Sequence, residues 1–346
     1  MSVPMPATTT DIISEFSGEI VSSLPPATHF KCVIEALEKG RLIPFLGAGV
    51  NLCNRPTSYD WSQPWTPESG LLPSGQELAN YFASKYSYQG TDQGNLLRVT
   101  QFVAFHEGPT GVDEELQKIL DQDYPLTPVH EFLASFPRRL REQGCPRPNL
   151  LIVTTNYDDL MERALRSTGE SYDVVRYIRD GEHAGCFWHQ SSDGTVSCVI
   201  EKPNEYLGVD LGQQSVVLKV HGAVQRSVRS DNCNGVQHDF VITEDDYINF
   251  LTRGDVASHI PAVLAERFNR SQFLFLGYGL SDWNMRAFFK GVQNTQRKQC
   301  TRLKSWAVQL NPDDLEQSFW KDRDVDIFDQ RLDDYVRQLD LHLSRK

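Results

Sequence analysis

The stretch RLIPFLGAGVNLC, residues Arg41–Cys53, decides the fold of this chain. Its apolar run LIPFL predicts a buried strand, and Gly47 and Gly49 follow with the spacing of a phosphate-binding turn. Residues 29–39 have apolar side chains at helical spacing, and the next residue is a glycine that suits the end of a helix. A third glycine is absent, because Leu52 occupies its position, and this argues against a dinucleotide dehydrogenase.

The unit of strand, polar turn and helix returns along the chain. Further β-rich runs begin at Asn149, Ser215, Gln272 and Ser305, and a short strand with an amphipathic helix follows near the end. These runs are too apolar for half-exposed strands, and they alternate with helical spacing. We therefore predict an α/β fold, a Rossmann-like parallel sheet covered by helices on both faces.

The domain organisation follows from composition and spacing. Residues 1–28 are rich in Pro, Ser and Thr and are expected to form an N-terminal extension to a domain of residues 29–346. Helical spacing over 76–86, 95–107 and 112–121 predicts a helical insertion, or small subdomain, at about 52–148. A variable segment is expected at about 172–214.

Composition excludes several classes of protein. Hydrophobic residues make up 40% of the chain, and no apolar run approaches the roughly 20 residues of a membrane span. The N-terminal residues lack the make-up of a secretory signal, and the seven cysteines are scattered without CxxC spacing, so we expect a cytoplasmic protein. The net charge of -12 argues against direct binding to nucleic acid, although a local basic surface is compatible with it.

Polar residues cluster where four strands end, at Gly47–Asn51, Thr154–Asp158, His221 with Gly222, and Gly277–Asp282. In parallel sheets, ligands bind beyond the carboxyl ends of the strands, so these clusters predict one crevice. Simpler interpretations stay open for each. Asn156 and Asp158 suit the cap of the following helix, and His221 suits a turn before a glycine.

Four ordered motifs resemble those of the sirtuin family over roughly residues 31–341. GAGV at Gly47–Val50 resembles its GAG-[IV]-S loop, and TNYD at Thr155–Asp158 its QN-[IV]-D motif. KVHG at Lys219–Gly222 resembles its catalytic HG, and GYGLSD at Gly277–Asp282 its late nucleotide-contacting loop. The resemblance implies that the chain binds NAD+ as substrate and cleaves the nicotinamide–ribose bond, releasing nicotinamide and ADP-ribose.

The resemblance also implies residue roles. Asn156 would place water or the ribose hydroxyls, Asp158 would hold the nicotinamide amide, and His221 would take a proton. The catalytic residues are thus Asn156 and His221, and the implied NAD+-binding residues are Gly47, Ala48, Gly49, Val50, Asn51, Thr155, Asp158, Gly277, Tyr278, Ser281 and Asp282. Asn51 stands where the family usually has Ser.

The chain also departs from classical sirtuins. The two CxxC pairs of their zinc module are absent, so no metal is expected, and NAD+ hydrolysis fits better than protein deacylation.

Zinc-less relatives resemble NAD-depleting effectors of bacterial antiphage defence. That resemblance implies a homo-oligomer and a separate sensor or activator, such as a HerA-type ATPase or an Argonaute-like protein. The alternatives are a regulatory subunit that binds NAD or ADP-ribose without catalysis, and a protein deacylase or ADP-ribosyltransferase.

Overall fold

A computed structural model describes residues 25–56, 58–145, 149–225, 240–253, 259–279, 283–298 and 303–344. The described residues form nine strands in one sheet. The strands are β1 (Leu42–Leu46), β2 (Leu151–Thr154), β3 (Tyr172–Tyr177), β4 (Phe187–Ser191), β5 (Ser197–Ile200), β6 (Ser215–Lys219), β7 (Gln272–Leu276), β8 (Ser305–Gln309) and β9 (Val325–Asp329).

The strand order is β5-β4-β3-β6-β2-β1-β7-β8-β9. The seven strands from β3 to β9 in that order are parallel, and β4 pairs antiparallel with both β3 and β5. From the central β1 the chain runs to β2 on one side and later returns to β7 on the other. The predicted Rossmann-like fold is confirmed, with its topological switch point between β1 and β7.

The same residues form eleven α-helices. They are α1 (Ala27–Glu38), α2 (Gly75–Lys85), α3 (Leu96–Glu107), α4 (Pro109–Leu120), α5 (Pro128–Glu142), α6 (Leu160–Ser167), α7 (Glu244–Thr252), α8 (Ala262–Asn269), α9 (Trp283–Lys298), α10 (Asp314–Lys321) and α11 (Leu332–Ser344). Among them, none combines the length and apolar character needed to cross a bilayer.

Helices cover both faces of the sheet, which explains the apolar strands. Leu42 and Leu46 of β1 pack into a core shared with α1, α5, α6 and α11. Ile43 and Phe45 point to the opposite core, which α7, α8, α9 and α10 complete. Because successive side chains of a strand alternate between faces, burial on both faces requires a continuous apolar run.

The helices predicted from the spacing after residue 75 are confirmed as α2, α3 and α4, and they enclose a third core around Phe82, Val99 and Leu116. The Ser74 hydroxyl accepts from the Glu77 amide and the Glu77 carboxylate accepts from the Ser74 amide, a capping box that begins α2. Such a cap contributes about 1 kcal/mol. Helix α5 instead packs on the sheet with α1, α6 and α11.

Two features fall outside the expectations from sequence. The hairpin of β4 and β5 adds two antiparallel strands to the sheet inside the segment expected to be variable. The predicted N-terminal extension lies mostly outside the described residues, and α1 begins at Ala27.

Candidate functional site

The loops that follow β1 and β7 interlock at the switch point of the sheet. The Gly49 amide donates to the Gly277 carbonyl over 2.8 Å, and the Gly47 amide donates to the Leu276 carbonyl over 3.1 Å. A Cβ on Gly49 would lie 2.7 Å from the Gly277 oxygen, and one on Gly47 would lie 2.6 Å from the Tyr278 Cα. The glycines are therefore required by the packing of the two loops, and both amides already have protein acceptors.

A second set of contacts joins the β1 loop to the loop after β2. Asn51 Nδ2 donates to Asp158 Oδ2 over 2.8 Å, and Asn156 Nδ2 donates to the Gly47 carbonyl over 3.1 Å. All three side chains are buried. Asp158 Oδ1 also accepts from the Leu160 amide over 3.0 Å, so Asp158 takes part in the helix start that the simpler interpretation required. Both interpretations of Asp158 are compatible with this geometry.

A buried lysine holds the end of β6 against the same loop. Lys219 Nζ donates to the Asp158 carbonyl and, over 3.0 Å, to Glu162 Oε1 on α6. Burial raises the pKa of Glu162, and the Lys219 ammonium opposes that rise. His130 of α5 is buried near these charges, and burial lowers its pKa to about 4, so its imidazole is neutral at pH 7.

His221 comes two residues after Lys219, the last residue of β6. It is 2% exposed, and its ring contacts the rings of Tyr247 and Phe250 on α7 at centroid distances of 5.4 and 5.6 Å. The Val241 amide donates to the His221 carbonyl over 3.0 Å, and the Val224 amide donates to the Tyr157 carbonyl over 2.8 Å. The predicted HG and TNYD motifs are therefore adjacent in the structure.

A cavity of about 540 Å³ opens at the carboxyl ends of β1, β7, β8 and β9. Gly49, Gly277 and Tyr278 line it on one side, and Arg55 and Trp61 from the segment after β1 line it as well. Its volume lies within the usual range for small-molecule sites. The cavity thus occupies the place where doubly wound sheets bind nucleotides.

Arg55 is the buried cation of this cavity. Its Nη2 donates to Glu77 Oε2 and to the Leu72 carbonyl, both over 2.8 Å, and its guanidinium lies 4.1 Å from the Tyr59 ring centroid. Nε and Nη1 of Arg55 are buried without an acceptor within the part of the chain that the structure describes. These contacts hold the Arg55 side chain in place and leave its Nε and Nη1 donors without an acceptor among the described residues.

Three carboxylates also line the cavity, those of Asp313, Glu316 and Asp333. Arg331, another lining residue, donates to Asp333 Oδ1 over 3.0 Å, and Glu316 Oε2 accepts from Gln309 Nε2 over 2.9 Å. Carboxylates and amides at this end of a nucleotide crevice are suited to ribose hydroxyls. Cys53 also lines the cavity, and burial raises its pKa to about 12, which keeps the thiol protonated and unreactive at neutral pH.

The remaining residues predicted from sequence are spread around the two loops. Ala48 is exposed, Val50 is fully buried in the core, and Thr155 is half-buried, with its amide donating to the Leu46 carbonyl. Tyr278 packs on Phe45 at a centroid distance of 5.0 Å. Ser281 and Asp282 lie outside the described residues.

Sequence reasoning missed Lys219, Glu162, Trp61 and the carboxylates that line the cavity. Trp61 is 59% exposed although it lines the cavity, and aromatic exposure of this kind has no signature in the sequence. Lys219 ends an apolar strand, where a lysine usually marks the solvent boundary. Across the described ranges, no three His, Cys, Asp or Glu side chains gather as a metal-binding group.

Comparisons with known proteins agree with this architecture. The chain is 24% identical over 271 residues to Defense-associated sirtuin 2 from Bacillus subtilis, across 77% of this chain and 21% of that protein. It is 23% identical over 294 residues to NAD(+) hydrolase ThsA from Bacillus cereus (strain MSX-D12), across 82% of this chain and 47% of that protein. The chain thus spans about a fifth and about half of the lengths of these relatives.

A sequence profile of the SIR2-like domain matches residues 150–328. The match contains Asn156, Asp158, His221 and Gly277, and it covers just over half of the chain. This chain belongs to the SIR2-like family.

Proposed function

We propose that the protein is an NAD+ hydrolase that cleaves the nicotinamide–ribose bond, and that it acts as an NAD-depleting effector in bacterial antiphage defence. One observation carries the proposal. The hydrogen bonds from Asn51 to Asp158 and from Asn156 to the Gly47 carbonyl join two polar loops beside a cavity at the switch point of the sheet. The name of NAD(+) hydrolase ThsA supports the activity, and the name of Defense-associated sirtuin 2 supports the role in defence.

In this proposal the adenosine half of NAD+ occupies the 540 Å³ cavity. Asp313 and Glu316 accept hydrogen bonds from the ribose hydroxyls, and Arg55 places its positive charge near the pyrophosphate. A buried guanidinium is stronger there than on the surface, because the surrounding dielectric is low. The glycine amides of the β1 loop shape the wall rather than bind the phosphates, since they donate to the β7 loop.

In this proposal the nicotinamide–ribose bond is cleaved where the β1 loop meets the loop after β2. The C–N bond to nicotinamide breaks with its electron pair leaving on the ring nitrogen, and the ribose passes through an oxocarbenium-like state. Asn156 orients water or the ribose hydroxyls, and the water oxygen bonds to the ribose carbon while its proton passes to His221. Asp158 holds the nicotinamide amide, and Asn51 orients Asp158. Positioned acid–base groups of this kind contribute roughly 10²–10⁴-fold to a rate.

We further propose that this activity is restrained by assembly, because unregulated NAD+ loss would harm the cell that makes the protein. The proposed assembly is a homo-oligomer with a separate sensor, such as a HerA-type ATPase or an Argonaute-like protein. The long helical segment with its own core around Phe82 and Leu116 is the proposed contact surface.

The test is incubation of the purified chain with NAD+, alone and with candidate partners, followed by chromatography of the nucleotides. Nicotinamide and ADP-ribose in equal amounts are expected, without acyl-ADP-ribose when acylated peptide is added. Binding of NAD+ without any product, with every partner tried, would instead identify a regulatory nucleotide-binding subunit.

A further inference from the structure

The segment of residues 240–243 contacts both motifs to which the proposed cleavage chemistry is assigned. The Val241 amide donates to the His221 carbonyl over 3.0 Å. The Val241 carbonyl accepts from the hydroxyl of Tyr157, a residue of the TNYD motif, over 2.7 Å. A single residue of the 240–243 segment therefore joins the loop after β2 to the loop after β6.

Arg179, in the loop after β3, holds the 240–243 segment in place. Its Nη1 donates to the Phe240 carbonyl over 2.7 Å. The Asp113 carboxylate on α4 accepts from Nη1 over 2.9 Å and from Nη2 over 2.6 Å. Arg179 is 6% exposed and Asp113 is 3% exposed. Because a bidentate pair fixes the plane of the guanidinium, the donor to the Phe240 carbonyl has a defined position.

The same guanidinium lies beside the start of α7. Arg179 Nε is 3.6 Å from Asp246 Oδ1, and Asp246 Oδ2 accepts from the Ile242 and Thr243 amides over 3.1 and 2.9 Å. The imidazole ring of His221 packs on two aromatic rings of this helix. Arg179 is thus connected to the backbone of His221 through the 240–243 segment and to its ring through α7.

We propose that Arg179 is a positioning residue for NAD+ cleavage, which sets the imidazole of His221 relative to the TNYD motif. This inference rests on the proposed function. A group that takes a proton must lie within hydrogen-bond reach of it, and a misplacement of about 1 Å can lower a rate roughly 10²-fold. Among the described residues that line the 540 Å³ cavity, Arg179 and the 240–243 segment are absent, so their displacement should spare the binding of the adenosine half.

Two substitutions separate positioning from stability. Arg179→Met leaves the Asp113 carboxylate buried without its cation and should lower the melting temperature. The double variant Asp113→Leu/Arg179→Met removes both buried charges, a replacement that is often neutral for stability, but the Phe240 carbonyl still loses this donor. We expect the double variant to melt close to the parent, with kcat lowered at least tenfold and KM changed less than twofold.

Arg179→Lys supplies a second, milder variant. It keeps a cation and donors but cannot bind Asp113 and the Phe240 carbonyl with the same fixed fork, so it should recover part of the kcat lost in Arg179→Met. The matched control is Arg98→Met, which breaks an ion pair between Arg98 on α3 and Glu244 on α7 with side chains 56% and 37% exposed. Such an exposed pair contributes little, so this control should keep the parent kcat and melting temperature.

The imidazole resonances of His221 give a readout that does not depend on turnover. They are assigned with His221→Ala in protein labelled with ¹⁵N-histidine, and they should shift in Arg179→Lys and in the double variant but not in Arg98→Met. Parent kcat in Arg179→Lys and in the double variant, with unmoved His221 resonances, would overturn the proposal and leave Arg179 as a stabilising ion pair. A raised KM at parent kcat would overturn it as well.

Failure of the proposed function gives a different result. A parent chain that releases no nicotinamide, alone or with partners, would contradict NAD+ cleavage and leave the resonance experiment in force. Shifted His221 resonances in the folded Arg179→Lys variant would then still support the positioning role, and unmoved resonances would overturn it.

Discussion

Asn51 Nδ2 lies 2.8 Å from Asp158 Oδ2, and this bond connects the loops that follow β1 and β2 inside the protein. The two residues are separated by 107 positions in the chain, and both are buried. The neutral amide group of Asn51 therefore donates to the carboxyl group of Asp158 in a small buried space. The β1 loop, in which the sirtuin family usually has Ser at this position, is set in place by a side chain as well as by its backbone.

The Asn51→Asp variant tests the hydrogen bond between Asn51 and Asp158. Two carboxyls at this distance cannot both ionise, so the pair holds one proton with a strongly raised pKa. NAD+ cleavage should fall at least tenfold at pH 8 and recover partly as the pH is lowered, which a pH–rate profile would show. Asn51→Ser should keep most of the activity. An Asn51→Asp profile that coincides with the parent profile would exclude the role of this contact.

Asn156→Ala and His221→Ala test the catalytic residues. Each should lower the rate of nicotinamide release at least a hundredfold, because positioned acid–base groups contribute roughly 10²–10⁴-fold. The matched controls are Asn249→Ala and His106→Ala, both at exposed positions, and they should keep the parent rate. Full activity in either site variant, with an unchanged melting temperature, would show that the assignment is wrong.

Arg55→Ala should raise the KM for NAD+ about tenfold and destabilise the fold. Removing one partner of the buried pair with Glu77 costs about 3–5 kcal/mol, because it leaves a buried charge uncompensated. Glu77→Gln separates the two effects, since it removes the ion pair and keeps the cation at the cavity. A KM that rises equally in both variants would mean that Arg55 acts only through folding.

Gly277→Ala should separate the two interlocked loops. Gly277 has φ of +60°, and a Cβ there would overlap the backbone of Gly49 and Val50. Gly70 is the matched control, because it has φ of +67° and nothing within 4 Å of an added Cβ. Gly70→Ala should cost only the roughly 1–2 kcal/mol of a left-handed residue. Denaturant unfolding should show a clearly larger loss for Gly277→Ala, together with weaker NAD+ binding.

His29 should make stability depend on pH. Its Nε2 lies 2.7 Å from the Tyr335 hydroxyl, and burial lowers its pKa to about 4. The folded protein holds His29 neutral while the unfolded chain protonates it near pH 6.5, so stability present above pH 6.5 is lost as the pH falls toward 4. Urea unfolding should show a loss of about 3 kcal/mol over that interval. His29→Gln should remove this part of the slope, and the exposed His106→Gln should keep it.

Periodic segments of the fold could be predicted from the sequence. The run LIPFL and the later apolar runs give buried parallel strands because both faces of the sheet are covered. The hairpin of β4 and β5 could not be predicted, because FWHQS has two apolar residues followed by three polar ones and so lacks the alternation that indicates a strand. A half-exposed strand at the edge of a sheet resembles a loop in composition.

The site was predictable only in part. The motifs around Asn156, Asp158 and His221 are contiguous in sequence, and the structure brings the loops that contain them together. The contributions of Lys219 and Glu162 depend on burial, which apolar spacing does not reveal for a lysine. The contacts of Arg55 with Leu72 and Glu77 depend on how the segment after β1 folds back, which the sequence pattern does not indicate.

The bond between Gly49 and Gly277 has a consequence for synthesis of the protein. A ribosome releases the β1 loop long before it releases β7, and the partner carbonyl for the Gly49 amide does not exist until residue 277 has emerged. This part of the cavity lining therefore forms only after residue 277 has been made. A nascent or truncated chain that ends before β7 lacks this contact, so the proposed NAD+ cleavage would begin only after β7 has been made.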